Sequence, residues 1–525
     1  MHIDLDQTEP QVFQSAVCII GAGIAGLALA TRLAELGIEV HLLEAGGLTQ
    51  ESRSQAFYTT EHAATTHRGV TEGRFRTFGG SSTQWGGQLL PFTQDIFTPS
   101  PGIPSHPWPV SEQDLSPYYP HVERIFEVDP LPYTAALLPA LGHPPVPFSP
   151  DITLRYSKWA PFARRNLAQT LGPAALASRH ITVFTHANAA TLEHRGTAPT
   201  IEAVRVLNYS AREFRFLARI FVVACGTVES SRLLLASPAV PNPHDQLGRG
   251  FNDHLSFHAG EFTNAQSTHA ATSSARQSLL DRLGPFFVDG TLHTAKLEAS
   301  AEARAREQLL AVMAHIVIQE PEDSGTAAIR NLLRAVQSGK LKQAIGQNLL
   351  PVLRGLGDVA RLLLSARFKR RRAVSSRARV ILNIDVEQAP NPDNRIRLSE
   401  QLDALGLPRA IVDWRVNPAE QDTAIRFARI LRRELAALNL SPTTWSPAIE
   451  ANTPPEMLDT YHAMGGLNMG TDPTTSVVDP NLAHHQLDNL YIASCAVFPS
   501  GSSSNPTFTM LALTLRLADH LRNKL

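Results

Sequence analysis

"AVCIIGAGIAGLALATRLAELGIEVHLLEAGG", residues 16–47, decides the fold. The continuous apolar run AVCII predicts a strand buried on both faces. Gly21, Gly23 and Gly26 follow in G-x-G-x-x-G spacing, with Ile24 and Ala25 opening an amphipathic helix. The first glycine permits a tight turn, the second lets a pyrophosphate approach the backbone, and the third lets the helix pack on the strand. Free N–H groups at the helix start suit phosphate. Glu44, followed by Ala45, closes the second strand, where a carboxylate takes ribose hydroxyls. It would repel a 2′-phosphate, which disfavours NADP. The spacing leaves FAD and NAD both open.

The rest of the composition narrows the class. A chain of 525 residues exceeds one ordinary core, so two or three domains are expected. A formal net charge of −1 gives no support to nucleic-acid binding, which needs a basic face. Cys18, Cys225 and Cys495 are too scattered for a disulfide framework, and each sits in an apolar run that reads as a buried strand. No Cys-x-x-Cys pair or His-Glu-x-x-His helix points to a metal. The start lacks a basic and an apolar region, and no apolar stretch is long enough to span a bilayer, so a cytoplasmic protein is the expectation.

Two further stretches carry chemistry. In "GRFRTFGGSSTQWGG", residues 73–87, glycines at 79, 80, 86 and 87 flank Ser81, Ser82 and Trp85. Such a loop lets backbone reach a large flat ligand while small hydroxyls hydrogen-bond to it. Near the C-terminus, "YHAMGGLNMG" places His462 before a glycine pair, and "SSSNPTFTM" places Asn505 before Pro506. Taken alone, the first reads as a structural histidine. The second reads as a helix N-cap with proline at N1.

Together with "VVACGTVESSRLLLAS", "LGRGFNDHLSF" and the closing segment "NLYIASCAVFPSGSSSNPTFTMLALTLRLADHL", these elements resemble the glucose–methanol–choline (GMC) oxidoreductases. The likeness is greatest to the pyranose-oxidase-like and glycoside-dehydrogenase-like branches. It covers the chain except roughly residues 260 to 375. "VEQAPNPDNRIRLSEQLDALGLPRAIVDWRV" resembles the strands that floor the family's substrate pocket. The resemblance implies FAD. It also implies a fold of α/β class: a discontinuous Rossmann-like FAD-binding domain (1–95, 180–258 and 455–525), plus an α+β substrate domain (96–179 and 259–454) with an antiparallel sheet.

The same resemblance makes His462 the base that takes the hydroxyl proton of a CH–OH group. Asn505 becomes its partner on the substrate oxygen. Gly79, Gly80, Ser81, Ser82, Gln84, Trp85, Gly86, Ala190, Gly226, Ser494, Cys495, Asn505, Pro506 and Thr507 join the N-terminal residues in holding FAD. His254 in "NDHLSF" reads as ordering its turn. Where covalent relatives carry histidine this chain has Gln84, so noncovalent FAD is expected. Gly466, Leu467 and Asn468 stand where many relatives have Thr-x-Arg, which argues against acidic substrates.

Residues 327–372 depart from the family. Leucines at helical spacing, a break expected at Pro351 and basic residues from Arg330 to Arg372 against Asp358 make a helical insert. It reads as a solvated flap, or as a membrane-surface or partner-docking hairpin. The expected function is FAD-dependent oxidation of a sugar, glycoside or related polyol, with oxygen, a quinone or a carrier protein as acceptor. A flavoprotein lyase and a docked dehydrogenase subunit are the alternatives.

Overall fold

The computed structural model describes residues 1–98, 106–194, 196, 198–263, 270–375 and 377–525. The apolar run of the opening motif forms the strand Val12–Ile20, flanked in parallel by Val40–Leu43 and by Glu213–Val223. Ile181–Thr185 and then His2–Asp4 extend the parallel order outward. On the other side the direction reverses. Ile201–Leu207 pairs antiparallel with the first half of Glu213–Val223, and Asn188–His194 follows it. Leu490–Ile492 adds in parallel to the last three residues of the same long strand. The helices Ile24–Glu35 and Thr507–Lys524 pack against each other and share one apolar core with this sheet.

A second, antiparallel sheet is built on period-two alternation. In Arg379–Glu387, Val380, Leu382, Ile384 and Val386 point into a separate core shared with the helix Pro418–Ala437. Each such aliphatic side chain contributes about 1.5–3 kcal/mol by leaving water. The pairing partners His254–Phe262, Val312–Gln319, Thr291–Ala299 and Ile152–Trp159 alternate in the same way. Residues directly paired across a sheet share a face. Ser256, Asp385, His315, Lys296, Glu298 and Arg155 therefore line the opposite, polar face.

Of residues 386–416, Val386 and Glu387 close a strand of this sheet, and Asp403, Leu405 and Leu407 line a cleft. Arg395–Leu402 and Pro408–Asp413 instead pair with Thr60–His62 in a separate three-stranded sheet beside the helix Gly226–Leu235. The reason is local. Asp403 accepts from the backbone of Leu405 and Leu407 and so closes a tight hairpin, and Arg232 of that helix clamps Asp403. Several strands of the polar sheet lie in 286–319, where the resemblance lapses.

Other expectations also shift. The insert forms three helices, Gly325–Gln337, Leu341–Arg354 and Leu356–Leu364, ending in a π-helical turn, Ser365–Lys369. Its breaks fall at 338–340 and at Gly355. Pro351 stays inside the second helix, in its last turn, where its carbonyl accepts from Gly355. Cys18 is in a buried strand, but Cys225 and Cys495 follow strands and face a cleft. Within 1–95, 180–258 and 455–525, the strands Thr60–His62, His254–Phe262 and Leu458–Asp459 pair outside the first sheet. Among the described residues no helix is long and apolar enough to cross a membrane.

Candidate active site

The C-terminal ends of the parallel strands open into a cleft of about 290 Å³. Its walls include Gly21, Gly23, Ile24, Ala25, Glu44 and Ala45, and it also reaches His462, Pro506 and Thr507. Backbone proximity shapes it. Gly21 has φ of +105°, and a Cβ there would lie 2.7 Å from the Ala224 carbonyl. A Cβ on Gly26 would meet the Gly21 carbonyl at 1.9 Å, so helix and strand touch there. A Cβ on Gly23 would meet nothing within 4 Å, which leaves the cleft open beside the helix start. Buried Glu44 accepts from the N–H groups of Gly46 (2.8 Å) and Ala22 (3.2 Å). Burial pushes its carboxyl above the ordinary value, against the pull of those donors and of Arg76. The long cleft, the glycine cradle and the acidic end fit a dinucleotide such as FAD.

His462 stands at the cleft wall, behind a residue of uncommon backbone geometry: Tyr461 has φ of 67°. A non-glycine residue in that region costs about 1–2 kcal/mol and is held by its surroundings. The His462 N–H donates to Asp253 at 2.8 Å. Asn505 Nδ2 lies 2.9 Å from His462 Nε2. Helix Thr507–Lys524 starts after Pro506, and Asn505 makes no side-chain cap, so the capping expectation for Asn505 does not hold. Its amide turns to the histidine instead.

Two independent contacts fix the tautomer of His462. The Thr460 hydroxyl donates its one proton to Asp253 Oδ1 (3.0 Å), so it accepts from His462 Nδ1–H at 2.8 Å. His254 Nε2 donates to the Gly501 carbonyl at 2.9 Å, which leaves its bare Nδ1 facing His462 Nδ1 at 3.2 Å. Both place the proton on Nδ1 and leave Nε2 as the basic nitrogen beside Asn505. Burial, with His254 next, lowers the His462 pKa to about 4, so the ring is neutral and able to accept a proton at neutral pH.

Asp253 anchors this arrangement. It is wholly buried, accepts from the His254 N–H at 2.6 Å and lies 3.0 Å from His67 Nε2. Burial works to raise its pKa, but the hydrogen bond from His67 holds it below the ordinary carboxylate value. The Asn505 loop is clamped by the polar sheet. Glu387 accepts from the Gly501 and Ser502 N–H groups, and Arg155 donates to Ser504 at 3.3 Å and to Glu298 at 3.1 Å. On the same face His315 lies 3.2 Å from Asp385 and 3.0 Å from Lys296 Nζ. Buried Asp385 Oδ1 and Asn505 Oδ1 have no partner.

Most of the expected cofactor residues meet at the cleft: Gly21, Gly23, Ile24, Ala25, Glu44, Ala45, Gly80, Ser81, Ala190, Gly226, Ser494, Cys495, Pro506 and Thr507. Gly26, Gly79, Ser82, Gln84, Trp85, Gly86 and Asn505 are not among its lining residues. Ser82 holds the loop from behind by donating to the Gly79 carbonyl, and Trp85 Nε1 donates to the Arg165 carbonyl. Gln84 is exposed and donates to Gln50. His254, expected only to order a turn, contacts His462. Arg76, Arg74 and Glu229, also on the cleft, carried no sequence signal beyond the basic letters before the double glycine. His67, Asp253 and Asp459 form a compact buried group, already engaged by backbone donors from Val70, Arg68, Gly69 and His254.

Residues 390–514 match the family model described as GMC oxidoreductase, and residues 19–78 match an NAD(P)-binding Rossmann-like domain. Residues 390–514 are thus those of a GMC oxidoreductase C-terminal domain. The 6'''-hydroxyparomomycin C oxidase of Streptomyces lividus is 25% identical over 96% of this oxidoreductase and 91% of its own length. The fructose dehydrogenase large subunit of Gluconobacter japonicus is 27% identical over 62% of this chain, a match that spans about half (51%) of that subunit. Among solved structures, pyridoxine 4-oxidase from Mesorbium loti superposes with a TM-score of 0.56 at 18% identity, covering 97% of this chain and 99% of its own, a likeness of fold. The oxidoreductase is FAD-dependent and acts on CH–OH donors.

Proposed function

We propose that this oxidoreductase oxidises a hydroxyl group of a sugar, glycoside or related polyol, with His462 as base and Asn505 as its partner. The observation that carries the reading is the fixed tautomer of His462, a residue of the cleft wall whose unprotonated Nε2 accepts from Asn505 Nδ2 at 2.9 Å. A substrate hydroxyl that inserts into this bond donates to Nε2 and accepts from Asn505 Nδ2. Its proton then passes to the imidazole. Bound FAD supplies the acceptor for the carbon-bound hydride. The start of helix Thr507–Lys524 lines the cleft and offers N–H groups to an anionic ring edge.

The sugar class is supported by the names of the two relatives and by the polar sheet face. Its buried groups of both signs, with free acceptor atoms on Asp385 and Asn505, suit a neutral polyhydroxylated ligand. Noncovalent FAD is supported by Gln84, which points away to Gln50, and by Cys225 and Cys495, whose thiols burial pushes up to about 12. The proposed FAD-binding unit keeps the three segments 1–95, 180–258 and 455–525. The acceptor is oxygen, a quinone or a carrier protein, and a membrane contact through 327–372 suits the last two.

The test is anaerobic. Purified holoenzyme is mixed with a panel of sugars, glycosides and simple alcohols, and the visible flavin band is followed. Bleaching by sugars is expected, with all flavin released on acid denaturation. A band that stays oxidised while a substrate is cleaved would mean a lyase.

A further inference from the structure

Eight of the fourteen large apolar side chains exposed among the described residues lie between Leu333 and Phe368, so the insert carries most of these side chains. Residues 325–372 hold eleven Lys and Arg and one acidic residue, a charge of +10 in a chain whose net is −1. The pattern has a direction. Leu356, Ala360, Leu364 and Phe368 recur every four residues along the third helix and the turn that ends it, which places them in one stripe. Leu356 and Leu364 are each 55% exposed and Phe368 is 75% exposed. On the second helix Leu341 and Ile345 repeat the spacing, both exposed. Exposed Lys340, Lys342, Arg361, Arg367 and Arg370 flank these apolar positions.

The hairpin is tied to the cofactor loop. Gln337 Nε2 donates to the carbonyls of Ser82 (3.3 Å) and Trp85 (3.0 Å), and Asn166 Nδ2 donates to the Gln337 carbonyl at 2.7 Å. Whatever the hairpin meets is therefore held near the cofactor loop.

We propose that residues 333–370 dock the enzyme peripherally on an anionic phospholipid bilayer, with the apolar stripe in the headgroup layer and the flanking bases on lipid anions. Charge selects this occupant. A one-signed basic rim around Leu, Ile and Phe is the composition of an interfacial helix, and it complements the charge of an anionic bilayer. No helix among the described residues can cross the bilayer, so the segment lies on it. The proposal is independent of the chemistry at His462.

The test is flotation of holoenzyme with vesicles of phosphatidylcholine alone and of phosphatidylcholine mixed with phosphatidylglycerol. Flotation with the anionic vesicles only, reversed by high salt, is expected. Each base near the surface is worth about fivefold in partitioning, so Lys342→Gln, Arg367→Gln and Arg370→Gln together lower it about a hundredfold. Leu364→Ser with Phe368→Ser lowers it by tenfold or more. All variants keep the flavin spectrum and turnover with a soluble dye acceptor, which separates lost docking from lost folding. Absence of flotation on anionic vesicles overturns the proposal and leaves an acidic protein face as the partner. Equal flotation of wild type and both variants also overturns it.

Discussion

Replacing Asp253 with Asn tests whether a buried carboxylate decides which nitrogen of His462 is basic. In the native protein this side chain takes the Thr460 hydroxyl at 3.0 Å and the N–H groups of His254 (2.6 Å) and His462 (2.8 Å), with His67 Nε2 at 3.0 Å. An amide offers one oxygen and an NH2 group in place of two acceptor oxygens. With the NH2 toward Thr460, the threonine proton turns to His462 Nδ1 and the imidazole proton moves to Nε2, which removes the base from the cleft. With the NH2 the other way, it opposes the N–H groups of His462 and His67. Either arrangement loses about two charge-assisted hydrogen bonds at 1.5–3 kcal/mol each, so the protein is destabilised by roughly 3–6 kcal/mol. Loss of general-base catalysis lowers the rate of flavin reduction by about 10²–10⁴. The assay is anaerobic rapid mixing, with FAD content matched by the visible spectrum. Thr460→Val serves as companion. It keeps the buried charge, leaves His254 as the remaining Nδ1 acceptor, and should slow the same step only about tenfold. A rate for Asp253→Asn within about threefold of wild type, at full FAD content, would refute the reasoning.

Three other outcomes follow from the same geometry. Because His462 must be unprotonated to act and its pKa is held at about 4, kcat/KM should be flat near neutrality and fall as pH drops through about 4. That folded value lies below the ordinary 6.5, so the unfolded chain binds the proton first, and thermal melts should show this group's contribution to stability shrinking from pH 6.5 down to about 4. Glu44→Ala leaves the Ala22 and Gly46 N–H groups unpartnered and removes the ribose acceptor, so FAD affinity by fluorescence titration should fall about tenfold to a hundredfold. Gly21→Ala forces a Cβ against the Ala224 carbonyl at positive φ, and the purified protein should carry little flavin and melt lower.

The sequence was most legible where local pattern and tertiary role coincide. Residues 16–47 announce strand, turn and helix because glycine spacing there is a steric requirement, and the cleft forms where those letters place it. His462 and Asn505 were legible through the resemblance, but the Asn505–Pro506 pair misled as a cap. The local signal for capping is the same whether the amide turns to its own helix or to a histidine 43 positions earlier. The polar sheet face was written in the alternation of residues 379–387, yet its members were set only by the pairing of Asp385 with Ser256 and Met313 from distant strands. Asp253, Thr460 and His254 looked bland because their role lies in mutual hydrogen bonds across some two hundred residues of chain. Pro351 shows the opposite error: the helix Leu341–Arg354 runs three residues past it, and the break falls at Gly355 instead.

The most direct test of the central claim is the single-turnover rate of flavin bleaching by a reactive sugar, wild type against His462→Gln, without oxygen. The variant should retain FAD while its bleaching slows by about 10²–10⁴, the loss expected when a positioned base is removed. Bleaching at the wild-type rate in a variant with full FAD content would contradict it.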